Sequence, residues 1–352
     1  MFITGLGTAT PPHRYKQADC WDALQESKHF SELAPRSRAI LKKVLLGNNG
    51  IAARHLSLES LSDAFILTPD ALHSRFAKNA PLLAAQAGER ALGNAGLRAD
   101  QIDGLVISTC TGYLCPGLTS YVSERLGLRA DVLGLDLVGQ GCVAALPNLR
   151  AGESLLRSEG CEHVLSICVE VCSAAMYLDD DPGVLISACL FGDAAGCAVL
   201  SRNAGEQARR IEWLQHGSVL NTSARDLLRF ELKDGMLRNI LTAPVPALAA
   251  EHAEKVLDQV LAKAKVGREE IRAWIWHAGG RDVLLALQDR FKFNEDELRW
   301  SATVLRDLGN VSSPCVYHVM ERALQNNAPG GYWWLSSFGA GFSCHGALLE
   351  VQ

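Results

Sequence analysis

A chain of 352 residues, 48% hydrophobic and 21% charged, is long enough to bury a large core and too apolar to be disordered. Its formal net charge is −5 and no basic run exceeds pairs such as Lys42-Lys43 and Arg209-Arg210, which argues against nucleic acid as a partner. No apolar stretch approaches the ~20 residues of a membrane helix and the opening MFITGLGTATPP has no charged leader, so the reading is a cytoplasmic protein without a membrane partner.

Taken along the chain, residues 79–95 are alanine-rich and read as a helix, followed by a strand at 104–109. Residues 131–138 form a leucine-rich, strand-like run that stops at Gly139, and 143–156 then carry apolar residues at helical spacing. After the stop at Gly160 a strand is expected at 163–169, completing a βαβ rhythm. The polar stretch SRNAGEQARR at 201–210 reads as a boundary, giving halves 1–205 and 206–352. The second half repeats the pattern, with a helix at 246–265 and strands at 273–276, 332–336 and 345–351. FGDAAGC (Phe191–Cys197) and FGAGFSC (Phe338–Cys344) share Phe-Gly and a cysteine six residues after the Phe, a weak sign of internal duplication.

The chain has eleven cysteines, an odd number, with no CxxC pair and no zinc-type histidine spacing. That pattern fits a reducing compartment and gives no ligand set for a metal. Cys142 stands out because it lies where a strand hands over to a helix. Unpaired N–H groups and the positive dipole end at a helix start favour a thiolate. His277 ends the run AWIWHAGG, at the carboxyl end of an expected buried strand, where ligands bind in parallel α/β sheets. Asn310 lies in GNVSSPCV, just before a helix expected to start with Ser313 as cap and Pro314 in its first turn. A nucleophile, an imidazole and an amide donor serve two chemistries, papain-like hydrolysis and carbon–carbon condensation through a cysteine thioester. GQGCVAAL does not match the papain cysteine context.

In these motifs the sequence resembles the type III polyketide synthases, the chalcone-synthase-like branch of the thiolase-fold condensing enzymes. GTATPP (Gly7–Pro12), CTGYLCPG (Cys110–Gly117), GCVA at Cys142, LFGDAAG (Leu190–Gly196), HAGG at His277, GNVSSPCV (Gly309–Val316) and FGAGF (Phe338–Phe342) fall in the family's order over nearly the whole chain. The resemblance implies an α/β protein with a five-layer αβαβα thiolase-like fold, internally duplicated, acting as a homodimer. It implies an acyltransferase that uses acyl-CoA and malonyl-CoA without a further cofactor. It implies that Cys142 carries the acyl group as a thioester, while His277 and Asn310 bind the extender carbonyl and stabilise the enolate left by CO₂. Phe191 matches the phenylalanine between acyl tunnel and cavity. Thr111, Cys172 and Ser312 match cavity-lining positions, and Cys115 a position that approaches the other subunit's cavity. Gly339 falls in the loop that shapes the cavity, whose first Gly and Pro are here Ser337 and Ala340. Ala278 replaces a proline of plant members. At the tunnel mouth Lys42 and Lys43 lie near two of the family's three basic coenzyme A contacts, Asn48 takes the third, and Arg54 stands beyond.

Two further readings follow. One is a condensing enzyme resembling the initiating β-ketoacyl synthases, taking acyl groups from an acyl carrier protein. The thinned basic mouth favours it and the HAGG block opposes it. The other is a non-catalytic or redox-sensing subunit, opposed by the presence of all three site residues. A simple thioesterase is disfavoured, because nothing near Cys142 in the sequence supplies a base to activate water.

Overall fold

The computed structural model describes residues 1–205 and 209–352; Glu206, the expected first residue of the second half, lies outside the described residues. The chain opens with β1 (Phe2–Ala9) and β2 (Arg14–Lys16), then α1 (Gln17–Glu26), α2 (Lys28–Glu32), α3 (Pro35–Leu46) and β3 (Ala53–His55). It continues with α4 (Pro69–Ala95), β4 (Gly104–Thr109), α5 (Leu118–Leu126), β5 (Leu133–Val138), α6 (Ala145–Leu156), β6 (His163–Glu170), α7 (Pro182–Leu190) and β7 (Ala194–Ser201). The rest holds β8 (Ile211–Arg225), the hairpin β9 (Leu228–Lys233) and β10 (Met236–Leu241), and α8 (Val245–Ala264). It ends with β11 (Ile271–Trp276), α9 (Arg281–Phe291), α10 (Arg299–Leu308), α11 (Cys315–Gln325), β12 (Gly331–Gly339) and β13 (Gly341–Val351).

Small residues set the packing of the first half. Ala80, Ala84, Ala87 and Ala91 recur at helical spacing on α4 and are fully buried. They let the helix lie on β1 so closely that a Cβ on Gly7 would sit 2.3 Å from the Ala87 carbonyl oxygen. Helix α4 begins ten residues before the expected start. Thr68 caps it by accepting from the Ala71 N–H, and Pro69 occupies the first turn. The missed segment is mostly solvent-facing and buries only Leu72 and Phe76. Large residues set the second half, where Trp276, Trp333 and Trp334 are fully buried. Truncating one of them to alanine would cost about 3–5 kcal/mol.

The duplication is written in the strand order β11-β12-β13-β8-β1-β7-β6-β4-β5. In the first half β4 pairs parallel with β6, and β6, β7 and β1 then pair antiparallel. In the second half β11 pairs parallel with β12, and β12, β13 and β8 then pair antiparallel. The two sets join where Phe2 and Ile3 of β1 meet Glu212 and Ile211 of β8. The cysteines of the two Phe-Gly motifs lie in corresponding strands, Cys197 in β7 and Cys344 in β13, but Phe191 caps α7 whereas Phe338 lies near the end of β12. Helix α6 packs on β4, β6 and β7 and also reaches β12 and β13, while α11 packs on β11 and β12 and reaches β1 and β7. These two helices form the middle layer. With α4 outside one sheet half and α8 outside the other, the layers run αβαβα.

Three local expectations differ from the structure. The strand expected at 131–138 spans Leu133–Val138 and is the sheet's edge, with Leu133 and Val138 exposed. The helix expected from Val143 starts at Ala145, after a tight 3₁₀ turn over Gly141–Val143. Helix α11 starts at Cys315 with Pro314 at its cap position, and Ser313, the expected cap, instead donates to the Glu170 carboxylate at 2.7 Å.

Candidate active site

Cys142 sits on a turn that glycine makes possible. Gly139 (φ 81°) and Gly141 (φ 62°) take left-handed conformations between β5 and α6, placing Cys142 in the 3₁₀ turn between them and the helix. The end of β12 closes over this turn. A Cβ on Gly339 would fall 2.6 Å from the Val143 nitrogen and 3.1 Å from that of Cys142, and Ser337 Oγ donates to the Val143 carbonyl at 3.1 Å.

Hydrogen bonds connect Cys142 to the second half. Ser312, itself at φ 55°, donates from Oγ to Cys142 Sγ at 3.3 Å. The Ser312 N–H donates to Asn310 Oδ1 at 2.8 Å, and Asn310 Nδ2 donates to the Gly279 carbonyl at 2.9 Å, two residues beyond His277. Nδ2 carries a second hydrogen, which this bond leaves free. His277 donates its backbone N–H to the Ser336 carbonyl at 2.9 Å and stacks edge-on against Phe338 at 5.3 Å. Its Nδ1 has no partner. Burial alone holds this imidazole neutral, with its pKa pushed down to about 3.

Burial also decides the state of the thiol. It pushes Cys142 up to about 12, against the downward pull of the Ser312 hydrogen bond. At Cys142 burial therefore opposes the thiolate that the helix start and the Ser312 hydrogen bond favour.

A cavity of about 1160 Å³, counted to its open mouth, reaches Cys142 and is lined there by Thr111, Cys172, Phe191 and Ser312. His277 and Asn310 do not border it. They lie buried behind Phe191, whose backbone bridges to Asn310. The position of Phe191 follows from the end of α7, whose last four carbonyls would otherwise lack partners. Ser187 O accepts from the Phe191 N–H, Ala188 O from Arg54 Nη1 at 2.8 Å, Cys189 O from Gln17 Nε2 at 2.9 Å and Leu190 O from the Asn310 N–H at 2.9 Å. Arg54 Nη1 also donates to the Phe191 carbonyl at 3.0 Å and its Nε to Gln17 Oε1 at 3.0 Å. Arg54 is thus an internal cap near Phe191. Lys42 and Lys43 are exposed on α3, whose other face sends Leu41 and Leu45 into the cavity wall. Cys115 is exposed and lines neither this cavity nor the one beside it.

Sequence reading missed two buried polar residues that organise the site. Glu170, at the end of β6, accepts from the hydroxyls of Thr111 (2.9 Å) and Ser313 (2.7 Å), the Cys110 N–H (3.0 Å) and the Cys110 thiol (3.3 Å). Burial raises its pKa in spite of these donors. Asn148 on α6 donates to the carbonyl of Ile167 (2.9 Å) and the hydroxyl of Ser108 (2.7 Å), tying the middle helix to β4 and β6. A charged residue closing the apolar run SICVE was the available signal for Glu170.

A duplicated αβαβα fold that sets a half-buried cysteine and a buried histidine and asparagine at element ends is that of the condensing enzymes of the thiolase kind. The model of the FAE1/type III polyketide synthase-like proteins matches residues 10–226, and that of the chalcone and stilbene synthase C-terminal domain matches residues 220–350. The chain belongs to the type III polyketide synthase family and is a carbon–carbon bond-forming acyltransferase. It is 29% identical over 353 residues to the 1,3,6,8-tetrahydroxynaphthalene synthase of Streptomyces peucetius subsp. caesius, covering 99% of this chain and 92% of the relative. It is 29% identical over 359 residues to the 3,5-dihydroxyphenylacetyl-CoA synthase of Streptomyces toyocaensis, covering 99% and 89%. Its fold matches a polyketide synthase of the brown alga Ectocarpus siliculosus with a TM-score of 0.90 at 24% identity, covering 99% of this chain and 97% of the other.

Proposed function

We propose that Cys142 attacks an acyl-CoA thioester, its proton leaving with the coenzyme A sulfur, and holds the acyl group as a new thioester. Malonyl-CoA then binds with its thioester carbonyl against His277 and the free Nδ2 hydrogen of Asn310. The bond to its carboxylate breaks, CO₂ departs, and the electron pair forms an enolate whose oxygen these two groups stabilise. The enolate carbon attacks the Cys142 thioester, forming the new carbon–carbon bond and expelling the sulfur, which is reprotonated or reloaded. Further extension and ring closure yield a pyrone, a resorcinol or a related ring. The observation that carries this reading is the hydrogen-bonded chain from Cys142 through Ser312 and Asn310 to the Gly279 carbonyl, which sets an amide with a free hydrogen beside the loop of His277, an imidazole that burial holds neutral. Such an imidazole suits donation to a developing oxyanion and does not suit the thiolate–imidazolium pair of a cysteine hydrolase.

In this reading Phe191, Thr111, Cys172, Ser312 and Gly339 shape the space beside Cys142, and Lys42 and Lys43 meet the coenzyme A phosphates. The halves 1–205 and 206–352 supply the nucleophile and the enolate holders, and Cys115 meets a second subunit in a homodimer. All eleven cysteines are free, as suits a reducing cytoplasm. Among the described residues no helix is long and apolar enough to cross a membrane. Asn48 at the third expected basic contact leaves few cations for coenzyme A and favours a second reading, delivery by an acyl carrier protein.

Intact-protein mass after incubation with acyl-CoA thioesters, or with acylated carrier protein, decides between them. An adduct from acyl-CoA that is lost in Cys142→Ala supports the proposal. One formed only from carrier protein supports the second reading, and none from either source removes Cys142 from the chemistry.

A further inference from the structure

One buried polar atom beside the cavity, the side-chain oxygen of Asn239, is left without a partner. Asn239 lies on β10 opposite Phe230 of β9, and both residues line the cavity that holds Cys142. The side chain is buried, with 9% exposure, and its Oδ1 has no hydrogen-bond partner. The surrounding polar groups are satisfied within the protein. Thr111 donates to Glu170 at 2.9 Å, Ser173 to Asp193 at 2.6 Å, Ser187 to the Val184 carbonyl at 3.2 Å and Tyr177 to Asp234 at 3.0 Å. An orphaned buried amide is destabilising and uncommon, so its retention calls for an explanation.

The hairpin that presents Asn239 is held rigidly. Its neighbour Arg238 is ion-paired to Asp179 and Glu231, both at 2.7 Å, and its other neighbour Ile240 packs with Tyr177 and Val184. A rigid amide offering an acceptor and a donor is complementary to a chain that carries both enol O–H and keto oxygen. Condensation with malonyl units generates such a chain, adding one carbonyl per cycle.

We propose that Asn239 is a specificity-determining residue, hydrogen-bonding the keto and enol oxygens of the growing chain and so retaining extended intermediates over apolar ones. The inference rests on the condensing function proposed above for Cys142, and its test reads binding separately from turnover. In a Cys142→Ala background, affinities are measured for 3-oxoacyl-CoA thioesters and their 3-deoxy counterparts over a range of chain lengths, with and without Asn239→Leu. A preference for the oxo compound of about tenfold at one or more lengths, lost in Asn239→Leu, is the expected result. An equal ratio in both proteins overturns the proposal whether or not Cys142 proves to be the nucleophile. Thermal unfolding of the free proteins gives an independent reading. Asn239→Leu and Asn239→Ala are both compared with the parent, and Leu, which removes the orphaned amide while keeping its bulk, is expected to raise Tm by roughly 2 °C. A fall of several degrees in both variants would show a structural amide and overturn the proposal. In the intact enzyme, Asn239→Leu should leave loading of Cys142 within about twofold while lowering the ratio of longest to shortest product. A change confined to the loading of hydroxylated starters would assign Asn239 to the starter and overturn its role in extension.

Discussion

The same topology is put to opposite uses in the two halves. In the first half the backbone beyond the edge strand β5 turns through left-handed glycines, and Cys142 stands at the cavity. In the second half the backbone beyond the edge strand β11 is pinned by hydrogen bonds, and His277 and Asn310 lie buried behind Phe191. On the roles proposed here, a thioester carrier has to meet exchanging substrates, whereas groups that stabilise an enolate have to stay where they are. The comparison teaches that duplication supplied one wall for reach and one for rigidity.

The comparison can be broken from its rigid side first. Asn310→Ala should lower the condensation rate by about 10²–10³-fold while Cys142 still takes up an acyl group, as expected for loss of one donor to a developing oxyanion. Loss of loading to the same degree would show that Asn310 positions the thiol and not the enolate. Arg54→Met should cost about 2–4 kcal/mol in denaturant unfolding, because the Ala188 and Phe191 carbonyls at the end of α7 would lose their donor. A cost below about 0.5 kcal/mol would mean that water replaces the guanidinium.

Protonation sharpens the contrast further. With Cys142 held up near 12, its alkylation by iodoacetamide should rise about tenfold per pH unit between pH 7 and 9, about 1.4 kcal/mol each. A plateau near pH 6–7 would instead reveal a thiolate paired with imidazolium. His277 is held down to about 3. Between its ordinary 6.5 and that value the unfolded chain binds the extra proton, so this residue's contribution to stability is whole above pH 6.5 and falls as pH drops. The Tm of His277→Gln relative to wild type should therefore rise on going from pH 7 to pH 5, the smallest effect of the four. A difference independent of pH would place a charge or water beside the ring.

Much of this was legible where local signals were strong. Strand β4 matches its expected residues, and α8 differs by one residue at each end. Cys142, His277 and Asn310 were found because each follows or precedes an element whose end is marked by glycine or proline. The start of α4 was missed because its first turns face water, and the length of β8 because it is only partly buried. Glu170, Asn148 and the cap formed by Arg54 escaped detection for a different reason. Their partners lie far away in sequence, as Arg54 and Ala188 do, and no periodicity records a hydrogen bond across 134 positions. For the thiol the sequence displays the helix start and not the burial around it, which raises the Cys142 pKa.

A sulfur that keeps its proton at neutral pH is also a poor target for peroxide and for stray electrophiles, since the anion is the species they attack. On the role proposed for Cys142, the burial that raises its pKa therefore also keeps an unloaded nucleophile in a chemically quiet form. Durability between turnovers is, on this view, a by-product of the same burial that keeps water from the enolate.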